Sequence, residues 1–228
     1  MIKVAQCWDD GVATDIRLIE ILRKYNAKAT FNLNPGLHSE DREKPRWVAP
    51  GEGGFRGFVN GKVGLKELKE IYGDFQVASH GWTHKNAGMC PDEEFFKDAM
   101  DARHFLEDLF QRECPGYAWP CGRYTDSTAK LLQDAGFRYA RTTEYTDRVG
   151  VTDAPMRLQS SCHFLDNRFW QKFLDAKASG NNFYFWGHSY ELMDCEGLWR
   201  HTEQKFAMLA EDPEVQWVDV IDLVKEVK

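Results

Sequence analysis

Short apolar stretches alternate with amphipathic helical ones along the whole of this 228-residue chain, which restricts it to α/β architectures. Residues 2–8 read as a buried strand. Residues 14–25 read as a helix, with Ile16, Ile19, Leu22 and Tyr25 at helical spacing, Thr14 placed to cap it and Asn26 to stop it. Residues 27–34 read as a second strand closed by Pro35-Gly36, and a strand–helix–strand unit of this size pairs its strands in parallel. The pattern continues with helices over 65–72, 92–110, 127–135, 169–178 and 198–209. Between them fall strands over 75–79, 117–122, 137–143, 156–164, 183–186 and 215–220, before a short terminal helix. Seven or eight units in succession, without a linker, repeat or low-complexity tract, predict one domain over 1–228. An α/β barrel, incomplete, suits that count better than an open doubly wound sheet.

One segment breaks the pattern. From Pro35 to Lys62 periodicity fails, Gly and Pro are frequent, and three large aromatics (Trp47, Phe55, Phe58) follow no regular period. Such an excursion is either a folded lid or hairpin over a site, or disordered.

Bulk properties narrow the functional classes. A net charge of -7 gives no nucleic-acid footprint, and no apolar run is long enough to span a bilayer. The N-terminus runs from Met1 through Ala5 straight into an acidic pair, without room for a signal peptide, so a cytoplasmic protein is expected. The 6 cysteines contain no Cys-x-x-Cys pair, which argues against a zinc ribbon or a disulfide framework and for buried free thiols.

In a barrel the chemistry sits at the carboxyl ends of the strands, and Asp9, Asp10, His80 and His188 all fall at such ends. Cys7-Trp8-Asp9-Asp10-Gly11 sets two carboxylates side by side; alone it would read as a helix-capping turn. On an extended chain the two acids point to opposite sides, which predicts different jobs for them. His80-Gly81-Trp82-Thr83-His84 places two imidazoles four residues apart, a spacing that suits one metal ion. With Asp10 the donor set becomes two nitrogens and one carboxylate oxygen, leaving a coordination position open for water or substrate. Asp9, beside a ligand, can then act as a base toward a water at the ion. The Gly116–Tyr124 stretch is a rigid strand exit in which the Cys121 backbone N–H can face a developing oxyanion. His188, closing an apolar strand, is placed as a general acid. His163 lies at a strand end where it either faces the cleft or packs, and Glu191 either orients a sugar hydroxyl or caps a helix. His38, His104 and His201 have no partner pattern.

Together, and in this order, these pieces resemble the polysaccharide deacetylase family, carbohydrate esterase family four. Its Thr-Phe-Asp-Asp-Gly motif is matched by Cys7-Trp8-Asp9-Asp10-Gly11, and its His-x-x-x-His by His80 and His84. Its Arg-x-Pro-x-Gly is matched in Pro120 and Gly122, and its Leu-x-His by Trp186-Gly187-His188. The resemblance spans Val4 to Tyr190 and implies a distorted, incomplete (β/α)7 barrel. It makes Asp9 the catalytic base, Asp10, His80 and His84 the ligands of one divalent metal, and His188 the general acid. Zinc is the first choice of metal, with cobalt, nickel, manganese or iron as alternatives. Two positions depart from the family. Ala118 stands where the family has an arginine that orients the base, with Arg123 as a candidate replacement. The Asp-x-x-Asp-Trp motif that tunes the catalytic histidine is traceable only as Asp166 with Trp170.

The expected function is metal-dependent hydrolysis of the N-acetyl amide of an amino sugar, in a poly- or oligosaccharide or its precursor. Arg123 and His163 join Cys121 as candidate substrate contacts. The alternatives are a cyclic imide or ureide amidohydrolase of the same fold, a carbohydrate-binding protein that has lost catalysis, and a mononuclear iron oxygenase. A carbohydrate or small amide is the expected partner.

Overall fold

β1 (Ile2–Asp9) is the stave from which the fold is built. After it come α1 (Asp15–Lys24), β2 (Thr30–Leu33), β3 (Arg46–Trp47), β4 (Phe58–Val59), α2 (Leu68–Tyr72), β5 (Gln76–Ser79), α3 (Asp92–Phe110) and β6 (Gly116–Ala118). The remaining elements are α4 (Asp126–Asp134), β7 (Tyr139–Tyr145), β8 (Leu158–Ser160), β9 (Cys162–His163), α5 (Phe169–Ser179), β10 (Phe183–Gly187), α6 (Glu196–Glu211) and β11 (Val215–Trp217). The structure, a computed structural model, describes residues 1–49, 51–150 and 154–224.

The large sheet runs β8-β7-β6-β5-β2-β1-β10-β9, parallel throughout, with β11 beside the start of β1. Its two edge strands, β8 and β9, are separated in sequence only by Ser161; β8 pairs with β7, and β9 with β10. The chain from Leu158 to His163 is therefore one broken stave that links the two edges of the sheet without pairing them. The staves are then β1, β2, β5, β6, β7, the broken pair and β10, which is the distorted, incomplete (β/α)7 barrel expected.

Alternation along β1 sorts its side chains. Val4 and Trp8 pack outward into the main core with Leu18, Leu22 and Phe164, while Ala5 and Cys7 face the barrel interior with Tyr139, Leu158 and Tyr184. Tyr139 fits only because Gly116 lies beside it: a Cβ at Gly116 would stand 2.1 Å from the ring. Above this packed plug the inward positions turn polar, and all the staves present their carboxyl ends on the same side.

Several local expectations change. Thr14 does not cap α1 with its side chain; Asp15 accepts the Val12 N–H instead, and the Thr14 hydroxyl bonds Ser189. Asn26 does end the segment, in a left-handed conformation (φ 50). The 35–62 excursion is folded around the β3–β4 hairpin and tied down by Glu43 N–H to Lys62 and Val63 N–H to Gly11; Pro50 lies outside the described residues. A short 3-10 turn over Val220–Leu223 stands where the terminal helix was expected, and residues 225–228 lie outside the described ones. All six cysteines are free, but only Cys7, Cys114 and Cys162 are buried; Cys121 and Cys195 are exposed.

Candidate active site

Asp9 ends β1, and Asp10 follows with a φ of 82, in the left-handed region. That turn breaks the alternation of the extended chain, so the two carboxylates do not point to opposite sides as expected. Both reach the same histidine: His188 Nε2 lies 3.8 Å from Asp9 Oδ2 and 4.0 Å from Asp10 Oδ2. Two asparagines, two residues apart along the chain, hold the pair. Asn32 Nδ2 donates to Asp9 Oδ1 (2.7 Å) and Asn34 Nδ2 to Asp10 Oδ1 (2.9 Å). Lys62 Nζ in turn donates to the Asn34 side-chain oxygen (2.9 Å) and to the Asp10 carbonyl (2.5 Å), which fixes the Asn34 amide orientation.

Asp10, His80 and His84 bring their donor atoms within 4.8 Å of one another. His80 Nδ1 donates to the Ala118 carbonyl (2.8 Å), which leaves Nε2 with its lone pair toward Asp10 Oδ1, 3.9 Å away. That distance is too long for a hydrogen bond. It is near the roughly 3.4 Å that separates two ligands of one tetrahedral ion at bonds of about 2.1 Å. Burial pushes the His80 imidazole down to about 4, so it is neutral and available as a ligand at neutral pH. The residues fit a divalent metal. The turn that carries both histidines is shaped from α3: the Asp98 carboxylate accepts the N–H groups of Trp82 (2.7 Å) and Thr83 (3.0 Å) and the Thr83 hydroxyl. Gly81 (φ 75) lets it do so, since a Cβ there would stand 2.7 Å from Asp98 Oδ2.

The arginine that holds Asp9 is Arg141, which donates to Asp9 Oδ2, both side chains being almost fully buried. Arg141 is the register partner of Ala118 across the β6–β7 pair, so the cation arrives from the neighbouring stave at the same level. The Trp186 ring covers the guanidinium at 4.6 Å. Burial alone would raise the Asp9 carboxyl, but Arg141, His80 and His188 and the Asn32 bond outweigh it and hold Asp9 far below the usual carboxylate range. Arg123 does not take this part: it is exposed, its Nη1 3.8 Å from Met89 Sδ.

His188 receives support from its own turn. Glu191 Oε2 accepts the His188 backbone N–H (3.1 Å) and stands 3.4 Å from His188 Nδ1. Burial pushes the His188 imidazole down, while Glu191, Asp9 and Asp10 push it up, with a net rise above the ordinary value. Asp166 is engaged elsewhere, with the Arg168 N–H (2.8 Å) and Lys172 (3.1 Å), and does not supply the missing fourth motif. His163 turns its Nε2 to Glu191 (2.9 Å).

A cleft of about 610 Å³ opens over this group, lined among others by Asp10, Leu37, Phe55, Lys62, His84 and Tyr190. The folded excursion forms one wall and touches the opposite loop twice, Phe55 against Tyr190 (5.6 Å between rings) and Trp47 Nε1 to Asp194 (2.9 Å). Tyr190 itself lies against His188, the ring centroids 4.8 Å apart and the planes tilted by 31°. Cys121 sits in the turn that follows Ala118, in a left-handed conformation (φ 53).

Residues 2–140 match the family model described as polysaccharide deacetylase. The chain belongs to the polysaccharide deacetylase family. No curated protein sequence matches it. Among solved structures, the chain is similar to a mutant of BA3943, described as a CE4-family pseudoenzyme with restored enzymatic activity. The two share 13% identity with a TM-score of 0.59, over 98% of this chain and 68% of that one. It is also similar to the Xyl-CE4 domain of a multidomain xylanase from the hindgut metagenome of Trinervitermes trinervoides, at 14% identity and TM-score 0.59, over 97% and 89% of the two chains. A Streptococcus pyogenes deacetylase, PplD, in complex with acetate, matches at 22% identity and TM-score 0.49, over 61% of this chain and 55% of its own.

The family motifs led to Asp9, Asp10, His80, His84 and His188, and the structure brings these five together. They did not lead to Asn32, Asn34, Lys62, Asp98 or Arg141. An arginine inside the apolar run Tyr139-Ala140-Arg141 was a readable signal, because a strand rarely buries a charge without a partner. Asn32-Leu33-Asn34 was another, two amides on alternate positions of a buried strand.

Proposed function

We propose that this protein is a metal-dependent N-deacetylase acting on an amino sugar. The observation that carries this reading is the opposition of Asp9 and His188, 3.8 Å apart, above the Asp10, His80 and His84 group. A divalent ion held by those three residues, zinc first, would act as a Lewis acid on the acetyl carbonyl and make a water more acidic. Asp9, kept ionised by Arg141, accepts the proton of the attacking water as the new C–O bond forms. His188, protonated on both nitrogens, gives its Nε2 proton to the departing nitrogen as the amide C–N bond breaks. The products are acetate and the free amine. The Cys121 N–H, in the turn just after the carbonyl that fixes His80, donates to the developing oxyanion. Phe55 and Tyr190 offer ring faces to a sugar, and Arg123 an exposed cation at the rim.

Two features favoured a sugar-binding protein without catalysis: Ala118 and the weak fourth motif. Arg141 and Glu191 now stand where supports were missing, which favours hydrolysis. The test is acetate release from N-acetylglucosamine oligomers, nucleotide-linked N-acetyl sugars, cyclic imides and ureides, each with zinc, cobalt, nickel, manganese or iron(II) added. Metal-dependent acetate from an amino sugar supports the reading. Ring opening of a cyclic amide alone, or sugar binding without acetate under any metal, overturns it.

A further inference from the structure

The support that Glu191 gives His188 extends through a chain of hydrogen bonds to His163, which the proposed reaction leaves without a role. His163 ends β9, and its Nδ1 lies 3.2 Å from the Leu165 backbone N–H. A backbone N–H only donates, so Nδ1 is an acceptor and the neutral ring must carry its proton on Nε2. That Nε2 lies 2.9 Å from Glu191 Oε2, which makes His163 a donor to the carboxylate. The same oxygen takes the His188 backbone N–H at 3.1 Å and faces His188 Nδ1 at 3.4 Å. An ionised carboxylate accepts only, so the proton of neutral His188 belongs on Nδ1, with Nε2 turned toward Asp9. The three side chains also lie close enough to suggest a second metal group. That reading fails on the tautomer, because a protonated His163 Nε2 has no lone pair to give a metal.

The turn is anchored independently of the histidines. Ser189, next to His188, donates to the buried Asp15 and is bonded by Thr14 at 2.7 Å. His163 is held between the rings of Phe164 (4.9 Å) and Trp186 (5.1 Å). Glu191 is therefore a carboxylate with two fixed neighbours and one task left, to hold the His188 ring.

We propose that Glu191 and His163 are positioning residues that lock His188 in its Nδ1–H tautomer, with Nε2 presented to the cleft; the proposal rests on the deacetylase reading for its kinetic consequence but not for its structural one. Burial pushes the Glu191 carboxyl up, but His163 and His188 outweigh it and hold it at about 2, so the acceptor stays charged at neutral pH.

The test uses the full chain labelled with nitrogen-15. Long-range proton–nitrogen correlation spectra report the tautomer of each histidine, with His188→Ala and His163→Phe assigning the signals. Both spectra are recorded in metal-free and zinc-loaded protein at a pH above the His188 titration, where the ring is neutral, and melting curves confirm that each variant folds. The wild type is expected to show His188 as Nδ1–H and His163 as Nε2–H. Glu191→Ala should give His188 a mixture of tautomers. Where an acetate-releasing substrate is in hand, Glu191→Ala and His163→Phe should lower kcat about 10- to 100-fold with KM unchanged. His163→Gln, which keeps an N–H at similar reach, should recover most of that loss. An Nε2–H tautomer of His188 in the wild type overturns the proposal, as does an unchanged His188 tautomer in Glu191→Ala. So does a shift of the His163 signals on adding zinc beyond one equivalent, which would mark a metal site. The tautomer is read without any substrate, so failure of the deacetylase reading would show separately, as absent acetate with the expected spectra.

Discussion

Ala118 and Arg141 face each other as register partners on β6 and β7, and the guanidinium of the second holds Asp9. The arginine that the family motif would put at position 118 is thus supplied one stave over, at the same height in the barrel. The Ala118 backbone carbonyl takes His80 Nδ1, so the β6–β7 pair holds both the base and a candidate metal ligand.

Removing Arg141 should cost more than a lost contact. Arg141→Met leaves Asp9 buried beside Asn32 without its cation, and breaking a buried pair in this way costs about 3–5 kcal/mol. Urea unfolding should show that loss. The double variant Ala118→Arg/Arg141→Ala should regain part of it by returning the charge from the other stave. An Arg141→Met protein as stable as the wild type would show that Asp9 does not depend on this partner.

The two neighbouring aspartates should separate cleanly in function. Asp9→Asn keeps the Asp10, His80 and His84 group and should retain one metal per chain, while turnover drops about 10²- to 10⁴-fold. His80→Ala should lose the metal itself. Elemental analysis of the purified proteins beside acetate release distinguishes the two. Equal metal loss in both variants would mean that Asp9 also ligates.

The sequence carried the barrel because strand and helix patterns are local, and Asp9, Asp10, His80 and His188 because they lie at or just beyond strand ends on the same side, with His84 found by its spacing from His80. It placed Asp9 and Asp10 on opposite sides because an extended backbone would, and the positive φ of Asp10 is a torsion that no periodicity announces. Nearness in sequence to the motif points to Arg123, not to Arg141. Pairing between parallel staves is set instead by register, which brings residue 141 beside 118 and leaves 123 in solvent. Glu191 reads in sequence as a substrate or capping residue, since its partner on β9, His163, is far away along the chain.

Asp15 predicts an unusual pH dependence. It is fully buried among Ser189, Tyr72 and the Val12 N–H, and burial raises its carboxyl from 3.8 to about 7 in spite of those bonds. The folded state keeps a proton that the unfolded chain releases above about pH 4. The contribution to stability is complete below pH 3.8 and declines as the pH rises to 7. Asp15→Asn removes the proton exchange, so the wild type minus variant difference in unfolding free energy should fall across pH 4 to 7 and level off above it. A flat difference would place the Asp15 carboxyl at an ordinary value.

The Phe55 tip of the 35–62 excursion should govern substrate affinity and leave chemistry alone, unlike Lys62 at its end, which holds Asn34 and Asp10. Phe55 reaches Tyr190 but no residue of the Asp9, Asp10, His80, His84 and His188 group. Tyr190 in turn lies on the His188 ring at 4.8 Å. An aromatic contact is worth about 0.5–1.5 kcal/mol beyond its area, so Phe55→Ala should raise KM about two- to tenfold with kcat unchanged. Tyr190→Ala removes the same platform and also frees one face of His188, so it should change kcat as well as KM. Steady-state kinetics on a short amino-sugar oligomer resolve the two. If Phe55→Ala lowers kcat as much as Tyr190→Ala does, the excursion orders the His188 loop itself, through the Trp47 bond to Asp194, and is part of the catalytic frame.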